Sequence, residues 1–408
     1  MIRHEARSLG RHTLYVGDCL DVMAGMDDKM VDAIVTDPPY GIGFMGRKWD
    51  ALPPGGAFAR QAYRVAKPGA HIVAFSSTRT VHRLAVALED AGWEIRDTLH
   101  WCYFSGFPKS LDVSKAIDKA AGAEREVVAE VPAFGIGGSG TYAGHATGAT
   151  CKTTIPARQW QGWGTALKPA VEPAIIARKK LDGTVAANVL KWGVGALNID
   201  AARFGYGDPA WVGPSDTWLY PAGPRGNTWS IGSAPDGSRA APAQSHNLGR
   251  WPANLYYCPK PSTAEREAGC EGLRQQSAGE LTGGRDEGSA GLDNPRAGAG
   301  RTSGGRGNIH PTVKPIRLMR WIVDLVTPPG GVVLEPFAGS GTTVLGVELS
   351  SVPGARCVAI EREAEYVPII KARFAARDVL RRMQSRAVSA PERHAIAAQI
   401  GLFTEDIT

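Results

Sequence analysis

Two stretches near opposite ends of the chain share one grammar: a short apolar run, a segment of helical periodicity, then another apolar run. In the first, Val31–Thr36 reads as a strand that must stop at Asp37-Pro38-Pro39, because consecutive prolines cannot continue a hydrogen-bonded ladder. Pro68-Gly69 reads as a turn into a strand over 70–75. Val81, Leu84, Ala85 and Leu88 then fall at helical spacing before Gly92, and 94–101 reads as a third strand. In the second stretch, Pro315 marks a helix start. Ile316, Met319, Ile322, Val323 and Val326 form its apolar face, and Pro328-Pro329 ends it. Strands at 332–334 and 356–360 flank a helix at 342–349, and 366–386 reads as a last, basic helix. This alternation predicts an α/β fold with a mostly parallel sheet covered by helices on both faces.

The material between differs. Glycine and proline number 50 and 28 of 408 residues, close to a fifth of the chain where about an eighth is usual. Residues 131–150 hold six glycines and residues 201–310 hold 20. Seven of the 11 tryptophans lie between Trp160 and Trp251, which favours an ordered, irregular insertion over a linker. Residues 276–308 lack aromatics and read as mobile. No apolar run approaches the ~18 residues of a membrane helix, and the N-terminus has no signal-peptide pattern, so a soluble, cytoplasmic protein is expected. The six cysteines include no C-x-x-C pair, so no metal site and no disulfide framework are expected. A net charge of +6 permits a polyanionic partner.

Two constellations carry chemistry. Asp37-Pro38-Pro39-Tyr40 lies at the carboxyl end of a strand, where open α/β sheets bind ligands. The prolines form a stiff arch whose carbonyls accept hydrogen bonds. Asp37 adds a second acceptor and Tyr40 a flat face. A planar group bearing an NH₂ fits that set. The alternative is a plain Pro-Pro turn with Tyr40 packed in the core. The second constellation is Glu335-Pro336-Phe337-Ala338-Gly339-Ser340-Gly341, between a strand and a helix. Its glycines allow backbone approach to a ligand at a helix N-terminus. Glu361, 20 residues past Gly341, ends the next strand, where an acid can accept from ribose hydroxyls. A phosphate-binding P-loop would need a Gly-Lys-Ser/Thr ending. A nicotinamide fingerprint would need glycine at Val344. Neither is present.

Together these two motifs resemble the paired signature of S-adenosylmethionine-dependent DNA amino-methyltransferases. Their order, catalytic motif first, resembles the beta class of phage or prophage type. The resemblance implies a Rossmann-like methyltransferase fold, circularly permuted, with a loop-rich target-recognition insertion. His310-Pro311-Thr312-Val313-Lys314-Pro315 and Gly17-Asp18-Cys19-Leu20 resemble accessory motifs of the family. Gly162-Trp163-Gly164-Thr165-Ala166-Leu167-Lys168-Pro169 with Glu172-Pro173 is similar to a segment common in phage methylases. The implied domains are a catalytic part of the core (1–130), a glycine-rich insertion (131–164), a core continuation (165–200), a target-recognition domain (201–308), a cofactor-binding part (309–386) and a tail (387–408).

By that resemblance, Asp37 and the Pro38 carbonyl would bind the target NH₂, Pro39 would complete the arch, and Tyr40 would stack on the extruded base. Phe337, Gly339 and Gly341 would line the methionine end of S-adenosylmethionine. Glu361 would hold its ribose, Asp18 its adenine and Lys314 its carboxylate. The family tendency of Asp at position 37 favours adenine N6, with cytosine N4 as the alternative. An RNA or protein amide methyltransferase and a non-enzymatic DNA-binding derivative are the competing classes. No Pro-Cys nucleophile motif stands at a corresponding strand end, which argues against C5-cytosine chemistry. Double-stranded DNA is the implied partner; a homodimer and a cognate restriction endonuclease are left open. The basic helix 371–386 and Arg178-Lys179-Lys180 are candidate phosphate contacts, weighed against ordinary solvated faces.

Overall fold

The apolar runs form strands, and the chain's breakers end them. Those described are β1 (Glu5–Leu9), β2 (His12–Val16), β3 (Val31–Thr36), β4 (Ala66–Phe75), β5 (Trp93–Cys102), β6 (Val127–Val131), β7 (Gly148–Cys151), β8 (Val171–Lys179), β9 (Leu255–Tyr257), β10 (Val332–Glu335) and β11 (Arg356–Glu361). The computed structural model describes residues 5–44, 47–106, 108, 110–123, 127–131, 148–151, 154–205, 208–211, 249–276 and 305–385. The core of the expected glycine-rich insertion (132–147), most of the expected recognition segment (212–248 and 277–304) and the tail lie outside them.

The chain divides into two units. The first comprises Met1–Cys102, Val171–Gln276 and Arg306–Ala387. It holds a nine-stranded sheet in the order β1-β2-β11-β10-β3-β4-β8-β5-β9. β2, β11, β10, β3 and β4 run parallel, and β8 is antiparallel to both β4 and β5. β3 and β10 are buried along their whole length, as central parallel strands are. Alternate residues face opposite layers. Ile34, Ile72, Leu334, Val358 and Ile360 share one core with Phe58, Ala62, Leu84 and Leu88, from the helices Gly56–Val65 and Val81–Asp90. The helix Ile316–Val326 packs against β3, β4 and the helix Thr342–Glu348. The fold is a Rossmann-like α/β sheet. The glycine-loop strand β10, an inner strand beside β3, comes near the end of the chain, which is the permuted order the motif order implies.

The second unit comprises Tyr103–Ala170, Ser277–Gly305 and Val388–Thr408. There β6 and β7 pair antiparallel. The helix Val113–Ala120 starts at Asp112, whose side chain accepts from the Lys115 amide. Asp118 on that helix is buried and accepts from the Thr154 hydroxyl at 2.6 Å.

Three local expectations are corrected. Pro68-Gly69 does not precede a strand but lies inside β4, where the register with β3 jumps from Val31–Ala66 to Ala33–His71; Gly69, at φ +82°, absorbs the irregularity. The last helix is two, Val367–Ala375 and Arg377–Ser385. Some of the basic residues there and on β8 are engaged within the protein, whereas Lys180, Lys371, Arg381 and Arg382 are exposed. Arg373 is fully buried, Lys179 donates to the Tyr63 and Ala66 carbonyls, and Arg178 pairs with Glu94 at 2.8 Å. Arg377 and Arg381 both approach Glu348 at 3.7 Å. Among the described residues no helix is long and apolar enough to cross a membrane.

Candidate active site

β10 and β3 are neighbours in register, Val333 beside Ala33 and Leu334 beside Ile34. The chain leaves β10 into the helix Thr342–Glu348 and leaves β3 toward the helix Gly56–Val65, in the layer of Phe58. Their carboxyl ends therefore form the switch point of the sheet, where a crevice opens. Both motifs lie there although 299 residues separate Thr36 from Glu335. The Thr36 hydroxyl donates to Glu335 at 2.5 Å and ties one motif to the other.

At the β3 end, four side chains converge. The Lys314 ammonium is 2.6 Å from Asp37 and 3.2 Å from Glu172, and it donates to the Tyr40 hydroxyl at 2.9 Å. That hydroxyl in turn lies 2.9 Å from Asp37 and 3.0 Å from Glu172, its one proton serving either carboxylate. Phe75, Tyr40 and Trp101 present ring centroids 4.9, 5.3 and 5.7 Å from the ammonium. Lys314 is thus a buried member of the site, not a solvated surface lysine. Glu172 enters because β8 is antiparallel, which brings its amino end to the edge where the parallel strands finish.

The electrostatics follow from burial and like charge. Burial, with Glu172 beside it, raises the Asp37 carboxyl above its ordinary value despite the opposing pull of Lys314. Burial alone would lower Lys314, but Asp37 and Glu172 together hold it above its ordinary value and keep it charged. Burial and both carboxylates push Tyr40 well up, so its hydroxyl stays protonated. Two carboxyl groups thus share one ammonium.

At the β10 end, Gly339 and Gly341 adopt left-handed backbone, φ +53° and +76°. A Cβ at Gly339 would stand 2.9 Å from His310 Nε2, and one at Gly341 would stand 3.0 Å from Ile370. Only glycine lets the loop lie this close to what backs it. Glu361 accepts from the Gly339 amide at 2.6 Å and the Glu363 amide at 2.8 Å. Burial raises it to about 7. Glu335, buried, accepts from the hydroxyls of Thr36 and Thr343 and the amide of Phe337; burial pushes it up to about 8. Phe337 packs on Phe58 at 5.3 Å. Behind the loop, Arg373 donates to the Ser340 carbonyl at 2.7 Å and the Thr342 hydroxyl at 3.0 Å. Asp18 caps the helix Cys19–Ala24. It stands beside Glu361 because β2 pairs with β11 and the Gly17 amide donates to the Glu361 carbonyl at 2.9 Å.

The structure therefore brings Asp37, Tyr40 and Lys314 into one cluster, and Phe337, Gly339, Gly341, Glu361 and Asp18 along the adjoining strand ends. Glu172, Glu335 and Arg373 were not among the expected site residues. Glu172 carried a signal only as part of a resembling segment, and Glu335 only as the residue opening the glycine loop.

Acceptor arch and glycine loop side by side at the switch point of such a sheet are the plan of a Rossmann-like methyltransferase fold. The comparison with known families agrees: the chain belongs to the N6/N4 family of DNA methylases, which matches residues 31–121 and 151–372. It is similar to the putative methylase YubD of Escherichia coli K12, 35% identical over 88 residues, which are 19% of this chain and 37% of that protein. It is also similar to the type II methyltransferase M.HindIII of Haemophilus influenzae, 51% identical over 39 residues, 10% of this chain and 13% of that protein. The matched segments thus span about a third or less of these relatives' own length. Among solved structures, the cytosine-N4-specific PvuII DNA methyltransferase aligns over 98% of this chain and 96% of its own, at 14% identity and a TM-score of 0.44.

Proposed function

We propose that this chain is a site-specific DNA methyltransferase that uses S-adenosylmethionine to methylate an exocyclic amino group, adenine N6 in the first instance. The observation that carries the reading is the pairing of β3 with β10, which sets the Asp-Pro-Pro-Tyr arch beside the glycine loop. The residues present suit the cofactor. The loop of Gly339 and Gly341 takes left-handed backbone packed closely on His310 and Ile370, and carboxylates stand at the ends of β11 and β2. Phe337, Gly339 and Gly341 would take the methionine end, Glu361 the ribose and Asp18 the adenine. Lys314, assigned by resemblance to the cofactor carboxylate, is held by Asp37 and Glu172 in this structure.

S-adenosylmethionine, when bound, supplies a methyl group already activated on a sulfonium. The protein's part is positioning and charge. An exocyclic amine is a weak nucleophile because its lone pair is delocalised into the ring. Asp37 and the Pro38 carbonyl accept its two N–H bonds and localise that pair. Pro39 keeps the arch rigid, and the Tyr40 ring stacks on the base. A base inside a duplex cannot reach this arch, so it is flipped out at a cost of a few kcal/mol, offset in part by stacking.

The partner is double-stranded DNA, and the place of action the cytoplasm. A second copy of this chain and a cognate restriction endonuclease are further partners under this reading, tested by sedimentation and co-purification. The decisive experiment incubates the protein with tritiated cofactor and DNA from a methylation-deficient host, then maps modified positions by sequencing. Methyl groups on adenine N6 at one sequence motif, lost in Asp37→Ala, are expected. Equal transfer by wild type and Asp37→Ala would falsify the assigned site.

A further inference from the structure

The segment that follows the arch is wound around a single side chain. Asp50, 1% exposed, ends the short 3-10 turn Lys48–Asp50. Its Oδ1 accepts from the amides of Tyr40 (2.6 Å) and Gly41 (3.0 Å), and its Oδ2 from those of Phe44 (2.8 Å) and Ile42 (3.3 Å). The Gly43 amide donates to the Asp50 carbonyl at 3.0 Å. Every amide from 40 to 44 thus points at one residue. Only a carboxylate, acceptor at both oxygens, can satisfy four donors from one side chain. Gly41 and Gly43 lie at φ +68° and +62°, which lets the backbone curl inward. At Gly41 a Cβ would fall 2.2 Å from Pro53 Cδ, so the chain crosses itself closely there.

The neighbour of Asp50 reaches the other motif. Trp49 stacks on His310, centroids 6.1 Å apart and planes 14° apart. His310, neutral because burial pushes it down to about 3, is the ring that backs Gly339. Consecutive residues of one turn therefore touch the loop of Tyr40 and the support of the glycine loop.

We propose that Asp50 is a positioning residue for the target base: its carboxylate orders residues 40–44 and so holds the Tyr40 ring at the arch. The role in methyl transfer rests on the function proposed above; the ordering of the loop does not. Without the carboxylate, four partly buried amides lose their acceptor, and the torsions that aim Tyr40 are no longer set. Asp37, just past the end of β3, and Glu361, on β11, keep their own supports.

The test uses the full-length protein and the variant Asp50→Asn, which keeps one acceptor oxygen but turns an NH₂ toward two donors. Hydrogen exchange of a peptide spanning 38–44 is expected to quicken by about tenfold or more. Turnover on unmethylated genomic DNA is expected to fall by about tenfold or more, with S-adenosylmethionine affinity by calorimetry kept within about twofold. In a Tyr40→Ala background the same substitution is expected to cost less than about twofold, because its effect passes through Tyr40. Unchanged exchange in D50N, or a full additional loss of turnover on top of Tyr40→Ala, overturns the proposal. Should D50N not fold, Asp50→Glu, with the charge kept but displaced by a methylene, is read in the same way. A wild-type protein that transfers no methyl group to DNA rejects the function and the base-positioning role with it, while the exchange measurement still decides whether Asp50 orders the loop.

Discussion

The Lys314 ammonium stands 2.6 Å from the Asp37 carboxylate and 3.2 Å from that of Glu172, with the Tyr40 hydroxyl touching all three. Sequence distance hides this arrangement: 274 positions separate Lys314 from Tyr40, and 132 separate Tyr40 from Glu172. One cation holds two carboxylates and an aromatic ring in a single geometry.

Removing that cation leaves like charges side by side with little water to screen them. Lys314→Met is expected to lower folding stability by about 2–4 kcal/mol, measured by urea denaturation. Adding Glu172→Gln removes one of the two charges and is expected to restore roughly half of the loss. Equal stability of the single and double variants would show that the two carboxylates do not repel across the site.

Asp37 is the stronger acceptor for the target amine when ionised, with both oxygens free of a proton. Burial and Glu172 raise its pKa, so methyl transfer should fall on acidification already above the ordinary carboxylate range. Glu172→Gln takes away the like charge and is expected to move this acid limb down by about half a pH unit or more. A pH–rate profile of single-turnover transfer for the two proteins checks it; an upward move would contradict the charge assignment.

Glu335 is held up to about 8, above its ordinary 4.5, by burial. A carboxyl raised in the folded state binds more protons than in the unfolded chain. Its contribution to stability is full below pH ~4.5 and is lost as pH rises through about 8. Glu335→Gln mimics the neutral form. Its unfolding free energy from urea denaturation should match wild type within about 1 kcal/mol near pH 5 and exceed it at pH 9. A wild-type midpoint that stays flat across this interval while the variant's also stays flat would refute the raised value.

Gly339 and Gly43 share left-handed backbone, φ +53° and +62°, but differ in surroundings. A Cβ at Gly43 meets nothing within 4 Å, whereas one at Gly339 stands 2.9 Å from His310. Gly43→Ala is therefore expected to cost only about 1 kcal/mol in stability. Gly339→Ala should cost more and weaken cofactor binding by about tenfold or more, as read by calorimetry with S-adenosylmethionine.

The central strands, both motifs and the helix Ile316–Val326 were legible because local chemistry marks them: prolines end β3, glycines follow β10, and an apolar face repeats at helical spacing. The hairpin of β1 and β2 was not read, since His12 and Thr13 break its apolar pattern; His12 is nonetheless buried, its imidazole accepting from the Cys357 amide at 2.9 Å. Asp50 looked like any loop acid, because its four donors precede it by six to ten residues in an irregular stretch. Arg373 belonged by its spacing to a basic helix face; burial behind the glycine loop made it a structural donor instead. Glu172 became a site residue only through the direction of β8, which no local pattern specifies.

The partnership of β3 with β10 also bears on how the protein is made. During synthesis β3 emerges early and can pair with β4, but its other edge must wait for about three hundred further residues. At roughly 5–20 residues per second that is an interval of tens of seconds. Through it, the edge of a mostly apolar strand is open to pairing with other chains. A nascent chain of this family member is thus expected to depend on holding chaperones until its last quarter leaves the ribosome, and truncations before β10 should aggregate rather than fold.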